Sequence, residues 1–359
     1  MANALQPLFD LLWDAGKIIF NWTFEYWIKP KTDFDPLWEE TKLQNTSKAK
    51  PLLVNENNTE KTKTYIFSIP TGLTVSDFVA RKEALAQFLK QDSNNIKIEL
   101  VNNLATVTVY DTSKLNFSYS FYSFDYKTKE IRIPIGISLK NFETVYWHPT
   151  DPNQHNLLLS GATGSGKSVA LAVIMEYLTH RDDIELYIQD VKYVDLTSYQ
   201  NCPQTKIYNE GTNYSLETIR GLTDEMESRY SYLKAKGCKN LNECKAKDKP
   251  KYIFYIVEEL ASFSIKDDKE YFEELSELMA KGRACGMTCI LVTQTPYADI
   301  LPGKIKSNIN TIIGLKTRTR EASKVIIGDY DLLTGLRGKG HCIFAVNGSY
   351  NEVQIFNMR

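Results

Sequence analysis

Residues His155 to Ser168 read HNLLLSGATGSGKS, an apolar run that passes directly into Gly161, four further residues and Gly166-Lys167-Ser168. This is the spacing of a phosphate-binding loop set between a strand and a helix. The glycines let successive backbone N–H groups turn inward around an anion. Lys167 can reach β- and γ-phosphates, and the Ser168 hydroxyl can ligate Mg²⁺. A helix expected over Lys167 to Thr179 aims its positive end at the same anion. The nucleotide-binding set is therefore Gly161, Ala162, Thr163, Gly164, Ser165, Gly166, Lys167, Ser168 and Val169, with ATP and Mg²⁺ as cofactors.

Hydrolysis also requires a held metal and an oriented water, and the place to look is the end of a second apolar strand. KYIFYIVEELASF ends such a run at Glu258-Glu259. Glu258 is placed to hold the metal through its water shell and Glu259 to polarise the attacking water. Two glutamates that merely open a helix would leave the apolar run before them unexplained. A third strand, CILVTQTP, ends in Thr293-Gln294, where an amide can sense the γ-phosphate.

Working outward, the 359 residues, 43% of them hydrophobic, suffice for about two domains with a substantial core. A net charge of −1 excludes a globally basic, histone-like surface, so nucleic acid would be met through local loops. The six cysteines show no paired CxxC spacing and only four histidines accompany them, so reduced thiols rather than a zinc site are expected. The beginning of the chain lacks the pattern of a cleavable signal.

Residues 1 to 30 present an apolar surface (Leu5, Leu8, Phe9, Leu12, Trp13 and onward) broken by one polar stripe of Asp10, Asp14, Lys17, Asn21 and Glu25. Charges inside the run disfavour a lone lipid-exposed span. An interfacial helix, a helix docked on a membrane partner, and a helix packed on the protein itself all fit this pattern. Residues 31 to 60 are polar and read as a linker.

A small α+β domain is expected over 61 to 129. It has a strand at Thr64 to Ile69, a helix at Thr74 to Lys90, and a hairpin of Ile96 to Val101 with Ala105 to Tyr110 across Asn102-Asn103. Phe117, Tyr119 and Phe121 alternate with serines, as in a half-buried strand or a base-stacking surface. From about residue 130 alternating strands and helices imply a mostly parallel sheet covered on both faces. Its strands are expected at Ile184 to Asp190, Lys206 to Tyr208, Tyr252 to Val257, Thr288 to Thr293 and Thr311 to Lys316. Long helices are expected over Leu216 to Lys236 and Lys269 to Ala284. A closing hairpin of Gly340 to Val346 with Glu352 to Phe356 leaves nothing for a further C-terminal domain.

The ordered motifs HNLLLSGATGSGKSVA, DVKYVDLTSY, EMESRYSYLKAKGCKNLNE, IVEELASF and KGRACGMTCILVTQTPYADILPGKIKSNI resemble the motor domain of the FtsK/SpoIIIE DNA translocases over residues 130 to 359. Small size and missing modules make the chain most similar to the compact FtsK-like coupling proteins of conjugative plasmids and integrative elements. The resemblance implies an α/β, RecA-like P-loop ATPase core, preceded here by the small α+β domain and the N-terminal amphipathic helix. It implies an ATP-hydrolysing motor that passes DNA through a hexameric ring, a closed head-to-tail assembly. A relaxase and membrane channel components would be its partners, and the cytoplasmic face of the cell membrane its place.

Carried over by residue, the resemblance makes Lys167, Glu259, Glu258, Gln294 and Arg283 catalytic and Ser168 and Glu258 metal-binding. Glu258 stands where the family has aspartate, which leaves open a non-hydrolysing subunit. Arg283 matches an arginine that reaches a neighbouring subunit's nucleotide, although a helix-end arginine that satisfies carbonyls reads the same way. Arg318 and Arg320 are the fallback. Lys304 and Lys306, in a pore-loop position, and Lys192 are the candidates for DNA phosphates, although solvated lysines look alike in sequence. The family's sequence-reading winged-helix module is missing, so translocation without sequence specificity is expected. A protein-secretion or scaffold ATPase of the same superfamily is the alternative.

Overall fold

The computed structural model describes residues 33–59, 62–111, 126, 128–140, 142–294 and 301–357. The amphipathic helix read over 1 to 30 and the aromatic run at Phe117, Tyr119 and Phe121 lie outside them. The chain divides into two compact units, one up to residue 116 and one from 117.

The first unit is an antiparallel sheet of β1 (Leu52–Asn58), β2 (Thr62–Ser68), β3 (Ile96–Val101) and β4 (Leu104–Tyr110) in the order β1-β2-β4-β3. Its helices are α1 (Asp35–Glu40), α2 (Val75–Val79) and α3 (Lys82–Phe88). Alternation in β2 and β4 turns Tyr65, Phe67, Ala105, Val107 and Val109 into the core. Asn102 and Asn103 both adopt positive φ, at 50° and 65°, the conformation a two-residue hairpin turn needs.

Two sequence expectations change here. Of the polar segment 31 to 60, read as a linker, residues 33 to 59 are structured: Phe34, Leu37, Trp38 and Leu43 are buried, and Trp38 meets Phe34, Phe67 and Phe78 with ring centroids 5.3–5.6 Å apart. Its strand β1 pairs with β2 along one edge only, so most of its side chains stay exposed and polar. The single helix expected over 74 to 90 is two, because the chain turns at Ala80-Arg81. There the Arg81 guanidinium donates to the carbonyls of Asp77 and Thr41, each at 2.9 Å.

The second unit is built on a ten-stranded sheet. Its strands are β5 (Ile133–Ser138), β6 (Thr144–Trp147), β7 (Leu157–Ser160), β8 (Ile184–Asp190), β9 (Thr205–Glu210), β10 (Tyr252–Glu258), β11 (Met287–Thr293), β12 (Thr311–Leu315), β13 (His341–Val346) and β14 (Ser349–Ile355). The order is β6-β5-β14-β13-β12-β7-β11-β10-β8-β9. From β12 to β9 neighbours run parallel, while β13, β14, β5 and β6 extend the sheet antiparallel, so the sheet is more mixed than the sequence implied. Every residue of β7, β10 and β11 is buried, as parallel strands covered on both faces require.

The helices are α4 (Lys167–Thr179), α5 (Ser215–Lys236), α6 (Lys269–Lys281), α7 (Gly303–Lys306) and α8 (Arg320–Ile327). The unit begins before the expected residue 130 because the buried Arg181 binds the carbonyls of Tyr126, Thr128 and Glu130. Cys238 and Cys244 pair as a disulfide rather than remaining thiols, just past the α5 end where Gly237 takes a φ of 66°.

Trp38→Ala is expected to destabilise the first unit by about 3–5 kcal/mol. Denaturant unfolding followed by aromatic signals checks this, and an unchanged midpoint would restore the linker reading.

Candidate active site

Register places the functional residues at one end of the sheet. Ser160 of β7 pairs with Thr293 of β11, and Glu258 of β10 pairs with Asp190 of β8, so all four strands end side by side. The phosphate-binding loop leaves β7 there. It is pinned by Ala162 N donating to Lys316 O at 2.9 Å and by Gly340 N donating to Ser165 O at 2.7 Å. Gly166 has a φ of 108°, and a Cβ there would overlap the Gly340 backbone nitrogen. Only glycine lets the loop turn into α4 at this point.

The site's charges are buried. Lys167 is 6% exposed and forms no ion pair within 4.0 Å among the described residues. Burial, reinforced by the Lys192 charge, lowers its pKa below the usual lysine range. Glu258 is fully buried; its nearest cation is Lys192 Nζ at 3.2 Å, not aligned for a hydrogen bond, and neither carboxylate oxygen has a hydrogen-bond partner. Burial raises its pKa, with Lys192 acting in the opposite sense.

Glu259 adopts a positive φ of 63°, and its carboxylate shares the Lys192 ammonium with that of Glu258. Its Oε1 accepts from Thr293 Oγ1 and from Gln294 N, each at 3.0 Å, and its Oε2 accepts from Lys192 Nζ at 2.5 Å. Burial works against the charge on Lys192, but Glu259 and Glu258 outweigh it and hold the ammonium above its usual range.

The residues present fit a nucleotide and its metal. A buried unpaired ammonium, the buried Ser165 Oγ without a hydrogen bond, and a loop that excludes a Cβ together suit an anion of phosphate shape. Among the described residues no three His, Cys, Asp or Glu side chains converge into a ready-made metal cluster. That accords with Mg²⁺, which is held by one or two protein oxygens together with substrate phosphates. Ser168 and Glu258 are the residues that would hold it.

The structure brings most of the expected residues together. Gln294 Oε1 accepts from Thr163 Oγ1 at 3.0 Å, so the amide touches the loop itself. Lys192, expected on DNA phosphates, is engaged in this structure by two carboxylates of the site. Arg283 lies just before β11, at the sheet end opposite Gln294, so it does not reach its own chain's loop. Arg320 is paired with Asp331 at 2.7 Å, whereas Arg318 is exposed.

Two participants escaped the sequence reading. Asp195 accepts from Ser168 Oγ at 2.9 Å, which turns the hydroxyl proton away and leaves its lone pairs for a metal. Gly340 locks the loop from the far side. The second aspartate of DVKYVD and the GKG at 338–340 were the available signals.

Residues 123–249 match the FtsK/SpoIIIE family model. That stretch, about a third of the chain, is similar to the FtsK/SpoIIIE family. It is 30% identical over 210 residues to the DNA translocase SftA of Bacillus subtilis (strain 168), covering 55% of this chain and 22% of that protein. It is 27% identical over 308 residues to the DNA translocase FtsK of Chlamydia trachomatis, covering 79% of this chain and 38% of that one. The chain thus spans well under half the length of these two relatives.

Among solved structures, the pCW3 conjugation coupling protein TcpA, in a monomer form with ATPgS, superposes with a TM-score of 0.63 at 20% identity, over 91% of this chain and 94% of that one. EssC (ATPases 2 and 3) of Geobacillus thermodenitrificans gives 0.56 at 17% identity, over 67% and 47%. The chain therefore has the α/β fold of P-loop ATPases.

Asp195→Ala is expected to raise the Mg²⁺ concentration needed for half-maximal hydrolysis about ten- to hundredfold, the usual effect of losing a metal ligand's orienting partner. A Mg²⁺ titration of ATPase activity measures it, and an unchanged midpoint would remove Asp195 from the site.

Proposed function

We propose that this protein is an ATP-hydrolysing DNA translocase, an oligomeric ring motor that couples hydrolysis to DNA movement without sequence specificity, in conjugative transfer. The observation that carries the hydrolytic part is the convergence of Lys167, Ser168, Glu258, Glu259 and Gln294 at one sheet end. The backbone amides of the loop and Lys167 hold the phosphates and neutralise charge that develops on them. Ser168 and Glu258 would hold Mg²⁺, which would supply further charge neutralisation when bound.

Glu259 accepts the proton of the attacking water as its oxygen bonds to the γ-phosphorus and the bridging oxygen leaves with ADP. Arg283, remote from its own loop, supports a role at a neighbouring subunit, where head-to-tail packing would bring it to another nucleotide.

The DNA part rests on the FtsK and SftA likeness and on exposed loop cations. The coupling role rests on the likeness to TcpA, named a conjugation coupling protein, with a relaxase and channel components as further partners. The proposed attachment at the cytoplasmic membrane face rests on the pattern of residues 1 to 30. Among the described residues no helix is long and apolar enough to cross a membrane. The likeness to EssC favours one second reading, a secretion ATPase that does not act on DNA.

Steady-state hydrolysis with and without single- and double-stranded DNA separates the two. We expect DNA to stimulate turnover and Lys167→Ala to abolish it; hydrolysis indifferent to both DNA forms would favour the secretion reading. The two pore-loop lysines are expected to differ. Both lysines are exposed, but Lys306 Nζ donates to Val325 O at 2.6 Å near the end of α8, a tie that Lys304 lacks among the described residues. Lys304→Ala should lower the log–log salt slope of duplex binding by about 0.9 for each phosphate the ammonium neutralises. Lys306→Ala should change the slope less, and equal slopes for both variants and the parent would take this loop off DNA.

A further inference from the structure

We infer that Lys192 is a positioning residue that restrains the general base, and that hydrolysis begins only when its ammonium leaves Glu259. The inference rests on the hydrolytic reading above and adds a control to the same site. A carboxylate can take a proton from water only through a lone pair that faces the water. In this structure both oxygens of Glu259 are engaged: Oε1 by Thr293 Oγ1 and Gln294 N, Oε2 by Lys192 Nζ at 2.5 Å. The Thr293 and Gln294 contacts come from the end of β11 and its next residue, so they orient the carboxylate. The Lys192 contact is of another kind. It comes from a loop, and it holds the oxygen left over for a substrate.

The same ammonium answers the electrostatic demand of Glu258, which is fully buried and has no hydrogen bond of its own. Without a metal, two adjacent buried carboxylates require a cation, and Lys192 supplies it. A divalent cation held at Glu258 would meet that demand instead, so loading the site and releasing Lys192 are linked. The loop is built to let go. The Lys192 side chain is 32% exposed, and it is followed by Tyr193 at a φ of 61° and by exposed Val194. Asp190 accepts from Tyr208 Oη of β9 and from Tyr193 N and Thr197 Oγ1 of the loop itself, so these two bonds and the Lys192 contact together tie the loop to the sheet end.

The linkage reaches the phosphate loop through one residue. Gln294 donates its backbone N–H to Glu259 and accepts from Thr163 through its side chain, so the restrained base and the nucleotide cradle share a neighbour.

The test uses the full chain, ATP, and a fluorescent non-hydrolysable ATP analogue. Lys192→Gln should raise DNA-free turnover about tenfold, the scale of one charge-assisted hydrogen bond released. Its affinity for the analogue in Mg²⁺ should not weaken, because the ammonium that competes with the metal for Glu258 is gone. Lys192→Arg keeps a cation in place, so its DNA-free turnover should stay low and it serves as the folded control. Chymotrypsin cleavage after Tyr193 gives a readout independent of turnover. Nucleotide-free Lys192→Gln should be cut at the rate the wild type reaches only with Mg²⁺ and the analogue.

A fall in turnover together with weaker analogue binding would make Lys192 a phosphate ligand and overturn the inference. So would turnover and cleavage equal to wild type. These failures leave the hydrolytic reading standing. A wild type that binds no analogue and matches Lys167→Ala in turnover would instead end that reading, and this inference with it.

Discussion

Buried charge is the constraint around which the second unit is arranged. Lys167, Glu258 and Glu259 are each less than a tenth exposed, and an unpaired ion in such a place is strongly unfavourable. Each is answered differently. Glu259 accepts from a hydroxyl, a backbone N–H and an ammonium. Glu258 relies on the same ammonium at 3.2 Å without a hydrogen bond. Among the described residues Lys167 has no such partner, and the inward-turned loop around it is what a phosphate would complete. Parallel register produces this crowding, because it forces β7, β11, β10 and β8 to end together.

How much of this was legible in the sequence depended on whether a residue's role follows from local pattern. The strand Ile184–Asp190 and the helix Lys167–Thr179 match the expected bounds, because continuous apolar runs and a glycine loop are strong local signals. The hairpin of β13 and β14 was equally readable from Asn347-Gly348, whose φ values of 47° and 80° suit a two-residue turn. The segment around Trp38 was not, since DPLWEE is one short turn and VNENN reads as polar chain unless its neighbour β2 is known. The Cys238–Cys244 pair was missed because its spacing is undiagnostic and the turn at Gly237 brings the two together.

The site shows the same division. Walker-type residues announce themselves by spacing, but Asp195 acts through a contact with Ser168 from a loop with no periodicity. Lys192 is the instructive case. A lysine beside DNA and a lysine beside two carboxylates are the same letter in the same loop, and only the path of the chain after β8 decides between them. Sequence located that loop at the right end of the sheet and left its partner undetermined.

Residues outside the site are sorted by the opposite end of the sheet. Arg283, Lys304 and Lys306 precede β11 and β12, so a whole strand, about 3.3 Å per residue, separates them from the phosphate loop. The buried His155, whose pKa burial pushes down to about 4, lies at that end too, beside a cavity of about 400 Å³ that Arg283 also lines. The two ends are joined covalently by the strands themselves, and β11 is one such route. It carries Arg283 just before its start and Thr293-Gln294 at its finish, where both residues touch Glu259. Held on both edges by β7 and β10, this strand cannot bend independently of the sheet. A force applied near Arg283 therefore reaches the general base as a displacement of a rigid element, whereas a force on the Lys192 loop reaches it by making or breaking one ion pair.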